Sequence, residues 1–161
     1  MLSSEELRRR IEEEGLIEGY IELKRQVTPQ GFDFTVQDVR EFDEGGRIDF
    51  DNSERKIPGA TSVEKEDEEW HLDQGVYKIV PNEKVNIPED MFALAFLRSS
   101  MLRMGCDIVN GVWDAGFSGK GVFTLQVMNP HGVVIEQDAR VNQIVFFDME
   151  ETEKYSGVYT E

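Results

Sequence analysis

From Trp70 onward, the chain consists mainly of short apolar or alternating stretches separated by turn residues. Each stretch is four to seven residues long, which is typical of strands and too short for most helices. Proline, asparagine and glycine occupy the intervals, as turns require. Many short strands with regular turns predict an antiparallel sandwich or barrel. The predicted strands are residues 75–80, 91–97, 108–112, 122–128, 133–136 and 141–147.

The N-terminus has the different periodicity of a short helix. Ser3 or Ser4 can cap it, and acidic residues follow in the first turn. Leu7 and Ile11 share one face, and Gly15 ends the helix.

The segments between this helix and residue 70 are less regular. Residues 16–24 predict a strand or an extended arm, and residues 32–36 alternate as a strand should. Residues 43–69 form a polar middle whose acidic end, 64–69, predicts an exposed loop without the spacing of a calcium loop. The polar residues 150–161 predict a mobile C-terminal tail.

Length and composition are those of one soluble domain spanning residues 1–161. The 161 residues are 39% hydrophobic and 31% charged, which is ordinary for a globular protein. No apolar run approaches the ~20 residues of a membrane span, and the first ten residues are too charged for a signal peptide. Cys106 is the single cysteine, so we expect a reducing, cytoplasmic location.

The net charge of −16 is unevenly distributed along the chain. Residues 91–145 contain four basic and four acidic side chains, so the excess negative charge lies outside them. An acidic protein without a basic face argues against nucleic-acid binding. An anionic small ligand would need local cations, and a metal ion, to offset the global field.

Two motifs in residues 96–129 carry the candidate chemistry. Arg98-Ser99-Ser100, with Arg103, supplies cationic and hydroxyl donors of the kind that phosphate oxygens accept. Residues 111–119 form a glycine and aromatic turn that contains one acid, Asp114. Glycine in such a turn lets the backbone approach a ligand closely.

These motifs, in this order, resemble the family that joins the trimeric dUTPases and the dCTP deaminases. Residues 31–34 and 140–145 look like two further segments of that family, so the resemblance covers about residues 16–148. The hairpin looks closest to archaeal dUTPases that share a deaminase-like body. The resemblance implies a mainly β fold, a distorted jelly-roll-like antiparallel β-barrel (the dUTPase β-clip) with a short N-terminal helix. It also implies a homotrimer with sites between subunits.

The resemblance assigns the acid and the sugar contacts to the hairpin. It implies that Asp114 activates the attacking water and contacts the sugar 3′-hydroxyl; the residues alone also allow a turn aspartate bonded to backbone amides. Phe117 would pack under the deoxyribose and exclude a 2′-hydroxyl, or else belong to the core. The expected base- and sugar-binding residues are Asn110, Gly111, Phe117, Thr124, Leu125 and Gln126.

The phosphate contacts are expected outside the hairpin. Instead of binding phosphate, Arg103 could form an ion pair at a subunit interface. Gln143 could instead be an amide with a purely structural role. Asp33 either supports the site or a metal-bound water shell, or is simply a strand-end acid. The expected phosphate-binding residues are Arg98, Ser99, Ser100, Arg103 and Gln143.

Gln126 separates the two branches of the family. In the deaminases a glutamate at the matching place transfers protons to the base and the leaving ammonia. An amide does not titrate near neutrality and cannot replace it. The deaminase branch also has a basic residue where Val112 stands, and a tail glutamine that no residue after Gln143 supplies.

These features together predict a Mg²⁺-dependent dUTP diphosphatase. In this prediction Mg²⁺ is held by substrate phosphates and water rather than by protein ligands. The alternatives are a dCTP deaminase and a non-catalytic nucleotide-sensing protein of the same fold. Zinc chemistry is not expected, because His71, His131 and Cys106 lack zinc-ligand spacing. In the tail, Lys154, Tyr155 and Tyr159 are predicted to order over bound nucleotide as a lid.

Overall fold

The computed structural model of the chain describes residues 1–157 and residue 159. Most of its regular structure is β-strand, and the helices are short. The helices are α1 Ser4–Glu14, α2 Leu23–Gln26 and α3 Ser99–Arg103. The strands are β1 Ile17–Glu18, β2 Phe32–Phe42, β3 Ala60–Ser62, β4 Glu69–Leu72, β5 Gly75–Pro81, β6 Lys84–Asn86, β7 Met91–Leu97, β8 Cys106–Val109, β9 Ser118–Gly119, β10 Phe123–Val127, β11 Val133–Glu136 and β12 Arg140–Asp148.

The main sheet is an antiparallel barrel that is nearly closed. Its strands follow the order β7-β12-β2-β5-β10-β8, and β3 pairs with the far end of β2. At the open edge formed by β7, Ala93 exchanges backbone hydrogen bonds of 2.9 and 3.0 Å with Trp113, which lies in the segment after β8. This bridge covers part of the β7 edge, which limits pairing with other chains there.

Two smaller sheets flank the barrel. Strands β1, β6 and β9 form one, and β4 and β11 form the other. In the described residues, no helix combines the length and the apolar character that crossing a membrane requires.

The barrel encloses an aromatic core. Phe34 on β2 stacks on Trp113 with ring centroids 5.6 Å apart, and its centroid lies 5.1 Å from that of Phe123. Because Trp113 belongs to the turn segment before β9, the core holds that segment directly against the sheet. Such aromatic contacts stabilise a fold beyond the area that they bury.

The sequence-based elements agree with this structure in type and differ at some bounds. Helix α1 is capped as predicted: the Ser3 hydroxyl accepts from the Glu6 amide at 3.2 Å, and Gly15 ends the helix with φ of 68°. Strands β7 and β11 have the predicted bounds, whereas the strand expected at 108–112 lies at Cys106–Val109. Tertiary pairing with β10 sets those bounds, because Cys106 is opposite Val127.

The extended arm predicted for residues 16–24 is wrong beyond its first residues. Only Ile17–Glu18 is a strand, and Leu23–Gln26 is a helix. The buried side chain of Gln26 explains the turn, because its oxygen accepts from the amides of Ile21 and Glu22 at 2.8 and 2.9 Å. Helix α3 and strands β3, β4, β6 and β9 were also not predicted. Each is short, and the four strands pair with segments elsewhere in the chain.

Candidate active site

Asp114 begins a tight turn at the tip of the segment between β8 and β9. Its carbonyl accepts a hydrogen bond from the Phe117 amide at 3.1 Å, and Gly116 has φ of 75°. This is the glycine position of a type II turn, where a side chain would be strained. The turn leaves the Asp114 side chain exposed at the surface.

A cavity of about 560 Å³ lies beside this turn, and we call it the hairpin cavity. Its size suits a small ligand such as a nucleotide. Its walls come from the turn, the outer face of β5, the polar middle and the tail. It is lined by Ile57, Lys78, Asn110, Gly111, Val112, Trp113, Asp114, Phe117, Lys120, Gly121, Val122, Tyr155 and Tyr159.

Aromatic rings hold the floor of the hairpin cavity in place. Phe117 meets Trp113 edge to face at 5.4 Å between centroids, and Tyr155 meets Phe117 in the same way at 5.7 Å. A Cβ atom at Gly121 would lie 2.0 Å from the Trp113 ring, so glycine is required there. Phe117 is therefore buried in the core and also forms part of the cavity wall.

The Asp114 carboxylate has no partner among the described residues. It accepts no hydrogen bond from their backbone amides or side chains, and it makes no ion pair with them. The structure therefore differs from the alternative in which a turn aspartate serves the backbone. A free carboxylate at a cavity wall can accept a proton from, or orient, a bound water.

The expected base-binding residues on β10 divide between two faces of the sheet. Thr124 is opposite Lys78 on β5 and Val109 on β8, so its side chain lies on the outer face that the cavity adjoins. Gln126 lies two residues further along that face, opposite Val76. Leu125 is fully buried on the inner face, so its side chain packs in the core.

Asn110 connects the hairpin cavity to the core of the barrel. Its side-chain amide donates to the Ala95 carbonyl at 3.2 Å, and its oxygen accepts from the buried Asn142 amide at 2.6 Å. Asn110 therefore holds the start of the hairpin segment against the barrel, and it also lines the cavity.

The expected phosphate-binding residues lie elsewhere, around the buried Asp33. The Asp33 carboxylate pairs with Arg98 at 2.8 Å and Arg140 at 3.4 Å. The Gln143 amide donates to Asp33 at 3.4 Å and to the Thr28 hydroxyl at 2.7 Å. Burial raises the pKa of the Asp33 carboxyl, and the two arginines and Gln143 act in the opposite direction. We call these five residues the Asp33 cluster.

Ser99, Ser100 and Arg103 project from α3 next to the Asp33 cluster. All three are exposed, and Arg98 precedes the helix with its amide bonded to the Val141 carbonyl at 3.1 Å. Neither these residues nor Arg98 and Gln143 line the hairpin cavity. The hairpin cavity therefore brings Asp114 together with Asn110 and Phe117 but with none of the expected phosphate-binding residues.

The tail lies along the hairpin. The Tyr155 amide donates to the Ala115 carbonyl at 2.8 Å, and the Thr152 amide to the Glu89 carbonyl at 3.3 Å. Lys154 lies outside the hairpin cavity, 3.8 Å from the Glu89 carboxylate. Tyr159 lines the cavity, with the Arg55 guanidinium 5.7 Å from its ring centroid. Val158, Thr160 and Glu161 of the predicted tail lie outside the described residues.

Seven cavity residues were not among the expected site residues, namely Ile57, Lys78, Val112, Trp113, Lys120, Gly121 and Val122. Ile57 lies in the polar middle, to which no chemistry was assigned. Lys78 alternates outward on a predicted strand, but only the register with Thr124 places it beside the site. Among the described residues, no group of three or more His, Cys, Asp or Glu side chains is arranged to bind a metal ion.

Comparison with known sequences gives a consistent set of relatives. The model of the dCTP deaminase-like family matches residues 1–149. A probable deoxyuridine 5′-triphosphate nucleotidohydrolase of Methanosarcina acetivorans is 41% identical, over 99% of this chain and 95% of its own. The deoxyuridine 5′-triphosphate nucleotidohydrolase of Methanocaldococcus jannaschii is 34% identical, over 84% of this chain and 88% of its own.

A comparison of folds agrees with the sequence relatives. The crystal structure of 2′-deoxycytidine 5′-triphosphate deaminase from Agrobacterium tumefaciens superposes with a TM-score of 0.66. The match covers 90% of this chain and 47% of that chain, with 19% sequence identity. At this identity the likeness concerns the barrel itself and not the chemistry.

Proposed function

The chain belongs to the dCTP deaminase-like family, and from this premise we propose that it hydrolyses dUTP to dUMP and diphosphate. The proposal is supported by relatives named as deoxyuridine 5′-triphosphate nucleotidohydrolases along nearly the whole chain. The observation that carries it is the free carboxylate of Asp114 at the wall of a nucleotide-sized cavity.

Asp114 acts as the general base. Hydrolysis of a phosphoanhydride requires a positioned water and neutralisation of charge at phosphorus. The Asp114 carboxylate takes the proton as the water attacks the α-phosphorus, and diphosphate leaves. Asp114 occupies the first position of a glycine turn, which holds its backbone through the Phe117 amide and leaves its carboxylate without a hydrogen bond to the turn.

Phe117 selects the deoxyribose. Its ring is held between Trp113 and Tyr155 and cannot move away to admit an extra hydroxyl. A sugar placed on this ring has no room for a 2′-hydroxyl, which excludes ribonucleotides.

Gln126 makes the deaminase reaction unfavourable. It lies on the outer face of β10, where its nearest cross-strand neighbours are Val76 and Asp107. The amide cannot exchange a proton with a cytosine ring near neutral pH, but its NH₂ group can donate to the O4 carbonyl of uracil.

Mg²⁺ fits the site as a partner of the substrate rather than of the protein. The triphosphate would provide oxygen ligands of the hard type that Mg²⁺ prefers, with water completing the shell, while Asp114 stays free to act as the base. When bound, the ion would neutralise charge on the phosphates.

The complete site is formed between subunits of a homotrimer. None of the expected phosphate-binding residues lines the hairpin cavity, so in the trimer they reach the nucleotide from a neighbouring copy. The face beside the cavity carries four valines exposed by 49% to 60%, which suits contact with another subunit. These are Val76, Val109, Val112 and Val122. The lone Cys106 is buried, as suits a protein of the reducing cytoplasm.

Turnover of the purified protein with dUTP and with dCTP, each with and without Mg²⁺, tests the proposal. We expect dUMP and diphosphate from dUTP, a strong dependence on Mg²⁺, and no ammonia from dCTP. Release of dUTP or dUMP from dCTP would identify a deaminase. Tight binding of either nucleotide without turnover would identify a nucleotide sensor.

A further inference from the structure

The hairpin cavity contains two ammonium groups to which no role has been assigned. Lys78 projects from the outer face of β5, and Lys120 follows β9. Both line the cavity together with Asp114, and Asp114 is the only carboxylate among the described lining residues. In a chain with a net charge of −16, this wall has more positive than negative side chains.

Neither lysine is neutralised by a described carboxylate. Lys120 donates to the amide oxygen of Gln37 at 2.9 Å, and that partner carries no charge. Lys78 is directly opposite Arg40 on one side and Thr124 on the other, and the acid diagonal to it across the sheet is Asp38. Arg40 is itself paired with Asp38.

The cations of the Asp33 cluster are, by contrast, already engaged. Arg98 and Arg140 share the buried Asp33 carboxylate, and Arg98 also donates to the Arg140 carbonyl at 2.8 Å. A triphosphate carries roughly four negative charges, and one Mg²⁺ ion offsets only part of them. The charge that remains needs cations that are not committed elsewhere.

We propose that Lys78 and Lys120 form an anion site in the wall of the hairpin cavity, which binds the triphosphate of the nucleotide. The inference rests on the proposed function, because it takes a deoxynucleoside triphosphate as the occupant. Each ammonium is a mobile point charge with three donors, suited to phosphate oxygens whose positions change during the reaction. The same subunit that supplies Asp114 thereby also holds part of the triphosphate.

The test compares Lys78→Met and Lys120→Met with Lys84→Met, using deoxyuridine, dUMP and dUTP as ligands. Lys84 is a matched control, since it is half-buried on β6, opposite Glu18 and outside the cavity. Binding is measured by calorimetry in the Asp114→Asn background, where dUTP is not consumed.

We expect each cavity variant to lose about tenfold or more in affinity for dUTP, less for dUMP, and under about twofold for deoxyuridine. In the active protein, KM for dUTP should rise by a similar factor with kcat within about threefold. Lys78→Arg and Lys120→Arg should recover most of the affinity, and Lys84→Met should match the parent.

Equal losses for all three ligands would overturn the inference, because the lysines would then act on the nucleoside or the fold. Unchanged dUTP binding in both cavity variants would also overturn it. Either result, obtained while the wild-type protein hydrolyses dUTP, leaves the proposed function intact. A wild-type protein that neither binds nor hydrolyses dUTP would instead refute the proposed function, and this inference with it.

Discussion

The hairpin cavity and the Asp33 cluster satisfy their charged groups in opposite ways. In the cavity, Asp114, Lys78 and Lys120 lie at the wall without described partners of opposite charge. In the cluster, Asp33 is 2% exposed at its side chain and is bonded to Arg98, Arg140 and Gln143. Free groups suit the binding and chemistry of a ligand, whereas a satisfied network fixes backbone positions. The difference supports our proposal that the cavity performs the reaction, whereas the cluster holds α3 in place to present its donors.

The largest effect should come from Asp114→Asn. The variant removes the base but keeps the shape, so turnover of dUTP should fall about 10²–10⁴-fold while binding persists. Because the carboxylate has no structural partner, the midpoint of thermal unfolding should not change. Steady-state kinetics and calorimetry measure both quantities, with the exposed loop variant Asp73→Asn as the control. If Asp114→Asn kept wild-type turnover, Asp114 would not be the general base.

Arg98→Ala should reduce the free energy of unfolding, in contrast to Asp114→Asn, which should not. It leaves the buried Asp33 carboxylate with Arg140 as its remaining cation. Loss of a partner from a buried ion pair costs about 3–5 kcal/mol, and the 28% exposure of Arg98 and the presence of Arg140 should reduce this to roughly 2 kcal/mol. Urea unfolding measures the loss, and Arg103→Ala, which removes an exposed arginine, should leave stability unchanged. Equal stability of the two variants would contradict the structural role of the cluster.

The sequence predicted both regions but not their separation. Asp114 and Arg98-Ser99-Ser100 were found from local motifs, and the turn at Gly116 follows from residue type alone. Lys78 was not found, because only the pairing of β5 with β10 places it near the site. Arg98 was expected to face phosphate, yet its ion pair with Asp33 joins residues 65 positions apart in the chain. Local patterns determine turns, caps and strands, whereas such long-range pairings depend on the closed barrel.

The pH dependence of stability should report on two buried carboxyl groups that lie outside the hairpin cavity. Burial raises the pKa of Asp33 and also of Glu83, which accepts from Thr35 and Gln26 within the barrel. Because the folded pKa is raised, the folded state holds the proton more tightly than the unfolded state. The stability that these two carboxyls contribute should therefore be greatest below the ordinary carboxyl range and decline as pH rises through the folded pKa, by at most about 1.4 kcal/mol per pH unit for each group. Urea unfolding between pH 4 and 8 (roughly the range that brackets carboxyl titration) measures the decline, and Glu83→Gln should flatten it. An unchanged slope in Glu83→Gln would exclude that carboxyl as a source.

The smallest effect should come from Tyr155→Ala. The contact of Tyr155 with Phe117 is one aromatic pair, worth about 0.5–1.5 kcal/mol beyond its buried area. Thermal unfolding should shift slightly, while KM for dUTP should rise because the ring no longer closes the cavity. Tyr155→Phe, which keeps the ring, should behave as the wild type. A Tyr155→Ala protein with unchanged KM would show that the tail does not act as a lid.

Subunit complementation tests most directly whether the two regions join across a subunit boundary. The Asp114→Asn protein lacks the base, and a Ser100→Ala/Arg103→Ala protein lacks exposed donors of α3 without loss of the Arg98–Asp33 ion pair. Each should be nearly inactive alone. After the two are mixed in equal amounts, unfolded together and refolded, a random trimer would contain both intact halves at about a quarter of its sites. We expect dUTP hydrolysis to return to about that fraction of wild type. A refolded mixture no more active than its separate components would contradict it.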